Sequence, residues 1–330
     1  MSFNVYLIQN TDLNTDAPPL DFNMLDMDQM TEEKEYSKSH AHIFARTGQQ
    51  KLLLADLMAY PCYFGEFRKI PKYVVVAGAA PGNHFETLIK MLPAVTEWHL
   101  YDPRDFCPEV CNLRHKGFQC STYQQFYTDV DCETWSEKED VLFLCDIRDP
   151  RIGEAPELEG EQLVENDMNT QKEFVENTQA EMSVIKLRLT YPVKGGRYES
   201  EYACNYLLGT NYFQPFNRHN STECRLTCVP LNVQSYRADK NPAIFEESTY
   251  NVSTHERKCA YLNTEKRPEW DYQAASKIYV NYLEMMNDIA ERHVPMTVEK
   301  FVSLLSDSDA NVKKAIRGIL ENELKKAKFM

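Results

Sequence analysis

The stretch Tyr73-Val74-Val75-Val76-Ala77-Gly78-Ala79-Ala80-Pro81-Gly82-Asn83-His84 decides how this 330-residue chain reads. Val74 to Ala77 is short, wholly apolar and largely β-branched, the pattern of a buried central strand in a parallel sheet. Gly78 and Gly82 bracket a tight turn, and Asn83 is placed to cap a helix running through Phe85, Leu88, Ile89 and Leu92. A second apolar run, Trp98 to Tyr101, ends on Asp102, twenty residues beyond Gly82.

Strand, glycine turn, helix, strand and acid form the Rossmann nucleotide-binding layout, with the acid placed to accept from ribose hydroxyls. The spacing is Gly-x-x-x-Gly, whereas a pyrophosphate cradle takes Gly-x-Gly-x-x-Gly, and this disfavours NAD. A shorter loop with a proline suits a ligand without a pyrophosphate, such as S-adenosylmethionine. On this stretch alone, a strand-to-helix turn with no ligand is the alternative.

The rest of the chain sets the bounds. Its length allows one large α/β domain or two modest ones. No apolar run reaches the length of a membrane-spanning helix, and the N-terminus lacks the basic start and apolar core of a signal peptide, so a soluble, cytoplasmic protein with no membrane partner is expected. The ten cysteines are scattered through apparent strands and helices, as reduced thiols would be. Cys107/Cys111 and Cys224/Cys228 lack the usual zinc spacing, so no metal is expected. The net charge of −14 argues against a surface coated for nucleic acid. That acidity is concentrated: residues 1–35 and 154–181 together carry −15, which leaves the remainder nearly balanced and a local basic groove possible.

Residues 1–33 read as an acidic, irregular arm with little periodicity, followed by a single domain over 34–330. Gln49 to Ala59 is a strong helix with a broad apolar stripe. Lys51 stands near its start, where the macrodipole favours acids. After Asp102, Pro103 and Arg104, the pattern predicts a helical segment, a short strand at Phe118 to Cys120 and a helix-like stretch that begins over Tyr123 to Tyr127. Val141 to Cys145 is a buried strand ending in Asp146, at the strand end where open α/β sheets bind ligands. A long acidic helix over 154–182 precedes the strand Ser183 to Leu189, whose apolar pattern Lys186 interrupts. Such a lysine either snorkels at an edge or faces a ligand cleft with a depressed pKa. Ser221 to Val229 reads as another strand with Glu223 at its start, and the chain is loop-rich from Pro230 to about Pro268. A helical extension from about Asp271 closes it, as helices over roughly 271–293, 297–306 and 309–329.

Lys51, Asp146, Lys186 and Glu223 each have an ordinary explanation alone; their order, attached to a Rossmann-like core, resembles the tetrad of RNA ribose 2′-O-methyltransferases. The resemblance sharpens over Gly48-Gln49-Gln50-Lys51, Ala80-Pro81-Gly82-Asn83-His84, Asp102-Pro103-Arg104, Asp146-Ile147-Arg148, Gln214-Pro215-Phe216, Glu223-Cys224-Arg225-Leu226 and Tyr261-Leu262-Asn263. Collinear over about 34–290, these are similar to landmarks of the poxvirus cap-specific mRNA nucleoside-2′-O-methyltransferase family, whose members double as the small subunit of a viral poly(A) polymerase. The resemblance implies an S-adenosylmethionine-dependent methyltransferase sheet flanked by helices, and capped mRNA and a poly(A) polymerase catalytic subunit as partners. It implies Lys186 as general base, with Lys51, Asp146 and Glu223 completing the catalytic set and Arg225 supporting it. Gln49, Gly78, Gly82, His84, Asp102, Arg104 and Asp146 would contact the cofactor. Tyr36 and Tyr191 would stack on a cationic methylated guanine, with Glu256 on its edge; Val193 stands where the family has a second acid.

Overall fold

The computed structural model describes residues 25–34, 48–92, 95–114, 118–152, 154–191, 203–217, 221–232, 242–264 and 269–288. Helix α1 (Gly48–Phe67) leads into strand β1 (Tyr73–Ala77), helix α2 (Phe85–Met91), β2 (Glu97–Tyr101), the short α3 (Pro108–Cys111) and β3 (Cys120–Tyr123). Then come α4 (Asp129–Ser136), β4 (Val141–Cys145), α5 (Glu157–Thr178), β5 (Met182–Leu187), β6 (Ala203–Leu207), β7 (Thr210–Phe213), β8 (Cys224–Cys228), β9 (Glu247–Asn251), α6 (Val252–Thr264) and α7 (Glu269–Asp288). Seven strands form one sheet in the order β3-β2-β1-β4-β5-β8-β7. β1 to β5 are parallel, and β8 runs antiparallel to both β5 and β7. This is the mixed α/β, mostly parallel sheet that the glycine-turn stretch predicts.

Alternation along the strands splits the core between the two faces of the sheet. Val74 and Val76 of β1, Leu142 and Leu144 of β4 and Val184 of β5 pack with α1, α2 and α7. Val75, Ala77, Phe143, Ile185 and Leu187 face the other way, toward α4 and α5. Helix α5 buries Glu161, Val164, Met168, Gln171, Val175 and Thr178, a spacing of three and four that keeps one stripe on the sheet despite its acidity. Glu165 and Glu173 point to solvent, whereas Asp167 accepts from the Asp149 amide at 2.9 Å. No described helix is long and apolar enough to cross a membrane.

Several expectations need correction. The residue before α2 is His84, so Asn83 does not cap it; a Phe85-to-Gly82 backbone hydrogen bond of 2.9 Å closes the turn first. The strand expected at 118–120 runs instead over β3, and the helix expected to begin over 123–127 begins at Asp129. There, Thr128 and Asp131 form a capping box that outweighs the apolar pattern upstream. Helix α1 continues beyond Ala59, past Pro61, to Phe67. The region expected as loop before Pro268 contains β9, which pairs with β6 in a two-stranded ribbon, and α6. The last two expected helices lie outside the described residues. Part of the acidic arm is described: Leu25 and Met27 are buried, and Asp26 bridges Tyr212 on the edge strand β7.

Candidate active site

The strand order reverses direction between β1 and β4, and a crevice opens there beyond the carboxyl ends of the strands. The segments that leave those ends carry the expected residues. Gly78 follows β1, Asp102 follows β2 and Asp146 follows β4, while Lys186 lies one residue beyond the last β4–β5 pair. β8 enters from the opposite direction, so Glu223 and Arg225 arrive at the same end, and the register sets Arg225 directly opposite Lys186. Opposed residues of an antiparallel pair share a face, which places two cations side by side. A cavity of about 270 Å³ lies there, lined by the Gly78–Gly82 turn, Asp56 of α1, Asp146, Arg148, Lys186 and Arg225 among others.

The charges are interlocked. Lys186 Nζ lies 3.0 Å from Asp146 Oδ1 and donates at 3.3 Å to the Asp146 carbonyl oxygen. Arg225 Nη1 donates to the same Oδ1 at 2.5 Å. Lys51 Nζ donates to Glu223 Oε1 at 2.8 Å, and Arg148 Nη2 stands 3.7 Å from Glu223 Oε2. The structure thus brings all four expected catalytic residues and Arg225 together, from α1, β8 and the ends of β4 and β5.

Four cations against two carboxylates set the titration. Burial raises the Asp146 carboxyl, but Arg225 and Lys186 outweigh it and hold the group at about 2. Burial likewise opposes ionisation of Glu223, and Lys186, Lys51 and Arg225 drive it well below the ordinary carboxylate range. For Lys186 the balance falls the other way. Burial dominates over Asp146 and Glu223, Arg148 and Arg225 add repulsion, and the ammonium is lowered from its ordinary value.

The glycine turn is a close-approach device. Gly78 has φ +84°, and a Cβ there would sit 2.7 Å from the Asp146 carbonyl carbon; Gly82 has φ +76°. His84 is buried and turned onto Asp56, with Nε2 2.8 Å from Oδ2. Asp102 is enclosed by its own surroundings. Oδ1 accepts from Arg104 N and Nε, both at 2.9 Å, and Oδ2 accepts from Ala80 N at 3.0 Å and Arg104 Nη2 at 2.8 Å. Gln49 is in the first turn of α1, with its side chain outside the described residues. Buried Nε and Nη2 of Arg225 have no hydrogen-bond partner among the described residues, which leaves donors at the cavity wall for a ligand's acceptor atoms.

The expected guanine pocket is described in part. Tyr191 Oη donates to Thr222 Oγ1 at 3.1 Å, and the Arg188 guanidinium lies 5.2 Å from its ring centre. Burial raises the Tyr191 phenol well above its ordinary value, and the charge of nearby Glu256, buried on α6, adds to the rise. Tyr36 and Val193 lie outside the described residues.

Residues 17–308 match the family model described as poly A polymerase regulatory subunit. The chain belongs to that family. No curated protein matches this chain by sequence. Among solved structures it is similar to bluetongue virus VP4, described as a multifunctional RNA-capping production-line, at 14% identity and a TM-score of 0.43. That match covers 70% of this chain and 34% of VP4, so the chain spans about a third of the viral protein. The plantazolicin methyltransferase BpumL, solved with a substrate analogue and SAH, matches at 14% identity and a TM-score of 0.31, over 82% of this chain and 80% of that one. WbdD matches at 13% identity and a TM-score of 0.29, over 61% and 44%.

The contacts of three residues of this chain escape a reading of the sequence. Gln171 Nε2 donates to the Lys186 carbonyl at 3.1 Å, and its Oε1 accepts from the Lys186 amide at 3.1 Å. It replaces the ladder that β4 no longer supplies. A lone polar residue on the buried stripe of α5 is the signal that could have found it. Arg148 spans Glu223 and Asp167, and Asp56 holds His84. Nothing in the local pattern distinguishes these two from solvated charges.

Proposed function

We propose that the protein transfers a methyl group from S-adenosylmethionine to the ribose 2′-hydroxyl of the first transcribed nucleotide of m7G-capped mRNA. The observation that carries this reading is Lys186: 6% exposed, 3.0 Å from Asp146, opposite Arg225 and lining the cavity behind the glycine turn. S-adenosylmethionine, when bound, supplies an electrophilic methyl on a cationic sulfur. The Gly78–Gly82 turn, His84, Asp102 and Arg104 would hold it, with Gln49 from α1. The close backbone approach at Gly78 and the unmatched donors of Arg225 support that fit. A ribose reaching Asp102 has to take the place of the Arg104 head, which is 67% exposed and donates to both Asp102 oxygens.

A ribose hydroxyl is too weak an acid to ionise at neutral pH, so a positioned base is needed. Lys186 accepts its proton at Nζ, and to do so it has to be neutral. Burial and the adjoining guanidiniums favour that state. Asp146 fixes the amine's direction and then stabilises the ammonium formed. Lys51 and Glu223 form a second pair, and with Arg148 beside Glu223 the local excess of positive charge suits an RNA phosphate. Tyr191 offers a ring and Glu256 a carboxylate to a cationic guanine, with Tyr36 as the second ring.

Transfer of a labelled methyl to capped and uncapped transcripts, followed by digestion to nucleosides, tests the reading. Label should appear as 2′-O-methyl on the first nucleotide of the capped RNA. Equal rates on uncapped RNA remove the cap assignment in favour of an internal ribose, and label on a base removes the ribose assignment.

The family match favours a second role, as a regulatory subunit that raises the processivity of a poly(A) polymerase. Co-purification with a catalytic subunit, and longer tails when this chain is added, would be its signature. Unchanged tail length with a bound subunit counts against it.

A further inference from the structure

Cys224 of β8 and His255 and Cys259 of α6 gather three metal-binding side chains in the core, 31 or more residues apart across the two elements. All three are buried. Cys224 Sγ is 3.9 Å from Cys259 Sγ and 3.9 Å from His255 Nε2, and Cys259 Sγ is 3.7 Å from the same nitrogen. Tetrahedral zinc, with bonds of about 2.3 Å to sulfur and about 2.0 Å to nitrogen, spaces such donors roughly 3.5–3.8 Å apart. The triangle therefore already has the size of one face of a zinc tetrahedron.

A second observation points the same way. Asn211, 1% exposed, sets Nδ2 3.3 Å from His255 Nδ1 while its Oδ1 has no hydrogen-bond partner among the described residues. In this arrangement His255 carries its proton on Nε2, which donates to the Thr222 carbonyl at 2.8 Å. Turning the Asn211 amide over satisfies Oδ1 with a proton on Nδ1; Nε2 then gives up its hydrogen bond and stands 2.8 Å from the Thr222 carbonyl oxygen as a second acceptor, an arrangement that a shared cation relieves. Buried thiols packing as small hydrophobes give no reason for the orphaned amide behind the imidazole.

We propose that Cys224, His255 and Cys259 bind a structural zinc ion, with Asn211 orienting the histidine. Two thiol protons leave to solvent as two zinc–thiolate bonds form, and the resulting site is neutral. The Thr222 carbonyl, beside His255, is the donor at hand for the fourth position. Cys224 stands between Glu223 and Arg225, so the ion would pin the start of β8 to the helix that carries Glu256. The inference is independent of the methyl-transfer reading.

The test is the metal content of the reduced full-length chain purified after growth with added zinc chloride. About one zinc per chain is expected. Cys259→Ser and His255→Ala should lose it, while Cys111→Ser, at an exposed position away from the triad, should keep it. Asn211→Ala should bind zinc about 10–100-fold more weakly. Cobalt(II) exchanged into the unaltered protein should show thiolate charge-transfer and tetrahedral ligand-field bands, a readout that needs no variant to fold. Zinc-free protein that takes up neither metal on reconstitution overturns the proposal. So does zinc retained by both ligand variants, or a Cys224–Cys259 disulfide in protein kept under reductant.

Discussion

The parallel and antiparallel halves of the sheet meet at the Lys186–Arg225 pair, and they hold their functional groups by different means. On the parallel side the fixing runs largely through the backbone. Asp102 is closed by Arg104 two residues on and by the Ala80 amide, and Gly78 lies against the backbone of Asp146. On the antiparallel side it depends on side chains. Glu223 is gripped by Lys51, 172 residues earlier, while Gln214 and Asn217 hold its carbonyl oxygen at 3.3 and 2.7 Å. Asn263 and His255 of α6 take the carbonyls of Ser221 and Thr222 at 2.9 and 2.8 Å. The parallel half thus builds a rigid socket, and the antiparallel half tunes charge. Ligand binding should follow the first, and turnover the second.

Lys186→Ala, at the seam, breaks the comparison most sharply. Loss of a positioned general base should lower kcat by roughly 10²–10⁴-fold. Binding of S-adenosylhomocysteine, measured by calorimetry, should be almost unchanged, because the socket is intact. Because the ammonium is lowered from its ordinary value, the wild-type rate should rise with pH along a limb below that of a free lysine, and the variant should lack the limb. Full activity in the variant eliminates Lys186 as the base.

Gly78→Ala attacks the socket instead. A left-handed residue forced onto a Cβ costs about 1–3 kcal/mol in backbone strain alone, and here that Cβ also meets the Asp146 carbonyl carbon at 2.7 Å. A lower Tm with loss of cofactor binding is expected, and unaltered calorimetric affinity would show that the turn is no close-approach site. A milder change separates the halves by pH. The Asp146 carboxyl is lowered from 3.8 to about 2, so the stability it contributes is whole above 3.8 and is lost as pH falls toward 2. Urea titrations between those pH values should show that loss in the wild type and a flatter profile in Asp146→Asn. Parallel profiles would show that the pairing with Arg225 and Lys186 contributes nothing.

The parallel half was also the legible half. Val74 to Ala77, Val141 to Cys145 and the run containing Lys186 are buried on both faces, so their apolar runs are continuous, and an acid or glycine at each end is conspicuous. Lys186 interrupts one such run and Asp146 ends another, but the tetrad with Lys51 and Glu223 could be named only from the order of the four and its resemblance to a family. Helix α6 was hidden for the opposite reason. It buries Ser253, His255 and Glu256 beside Val252, Cys259 and Leu262, so polar side chains with partners inside the core erase the apolar stripe. In the β6–β9 ribbon β9 alternates exposed and half-buried positions, but its residues, Glu-Ser-Thr-Tyr-Asn, are almost all polar and give no apolar alternation to read. Pairings such as Cys224 with His255, or Gln171 with Lys186, depend on which elements the fold brings together, and no local period encodes them.

Gln171→Met gives the smallest expected effect and the finest distinction. The side chain keeps its length on the buried stripe of α5 but loses both hydrogen bonds to the Lys186 backbone. Leaving a buried amide and carbonyl unpartnered costs about 1–3 kcal/mol, and the cost falls on the strand end that aims the amine. kcat should drop by about tenfold if only the lower part of that range reaches the transition state. Cofactor affinity should hold, and the pH limb should keep its position because no charge has changed. Amide exchange should quicken at Lys186 and stay slow at Gly78, whose amide is tied to the Tyr101 carbonyl at 2.9 Å. Equal acceleration at both amides would mean that Gln171 stabilises the whole sheet, and the division between a rigid socket and a tuned base would then fail at the residue that joins them.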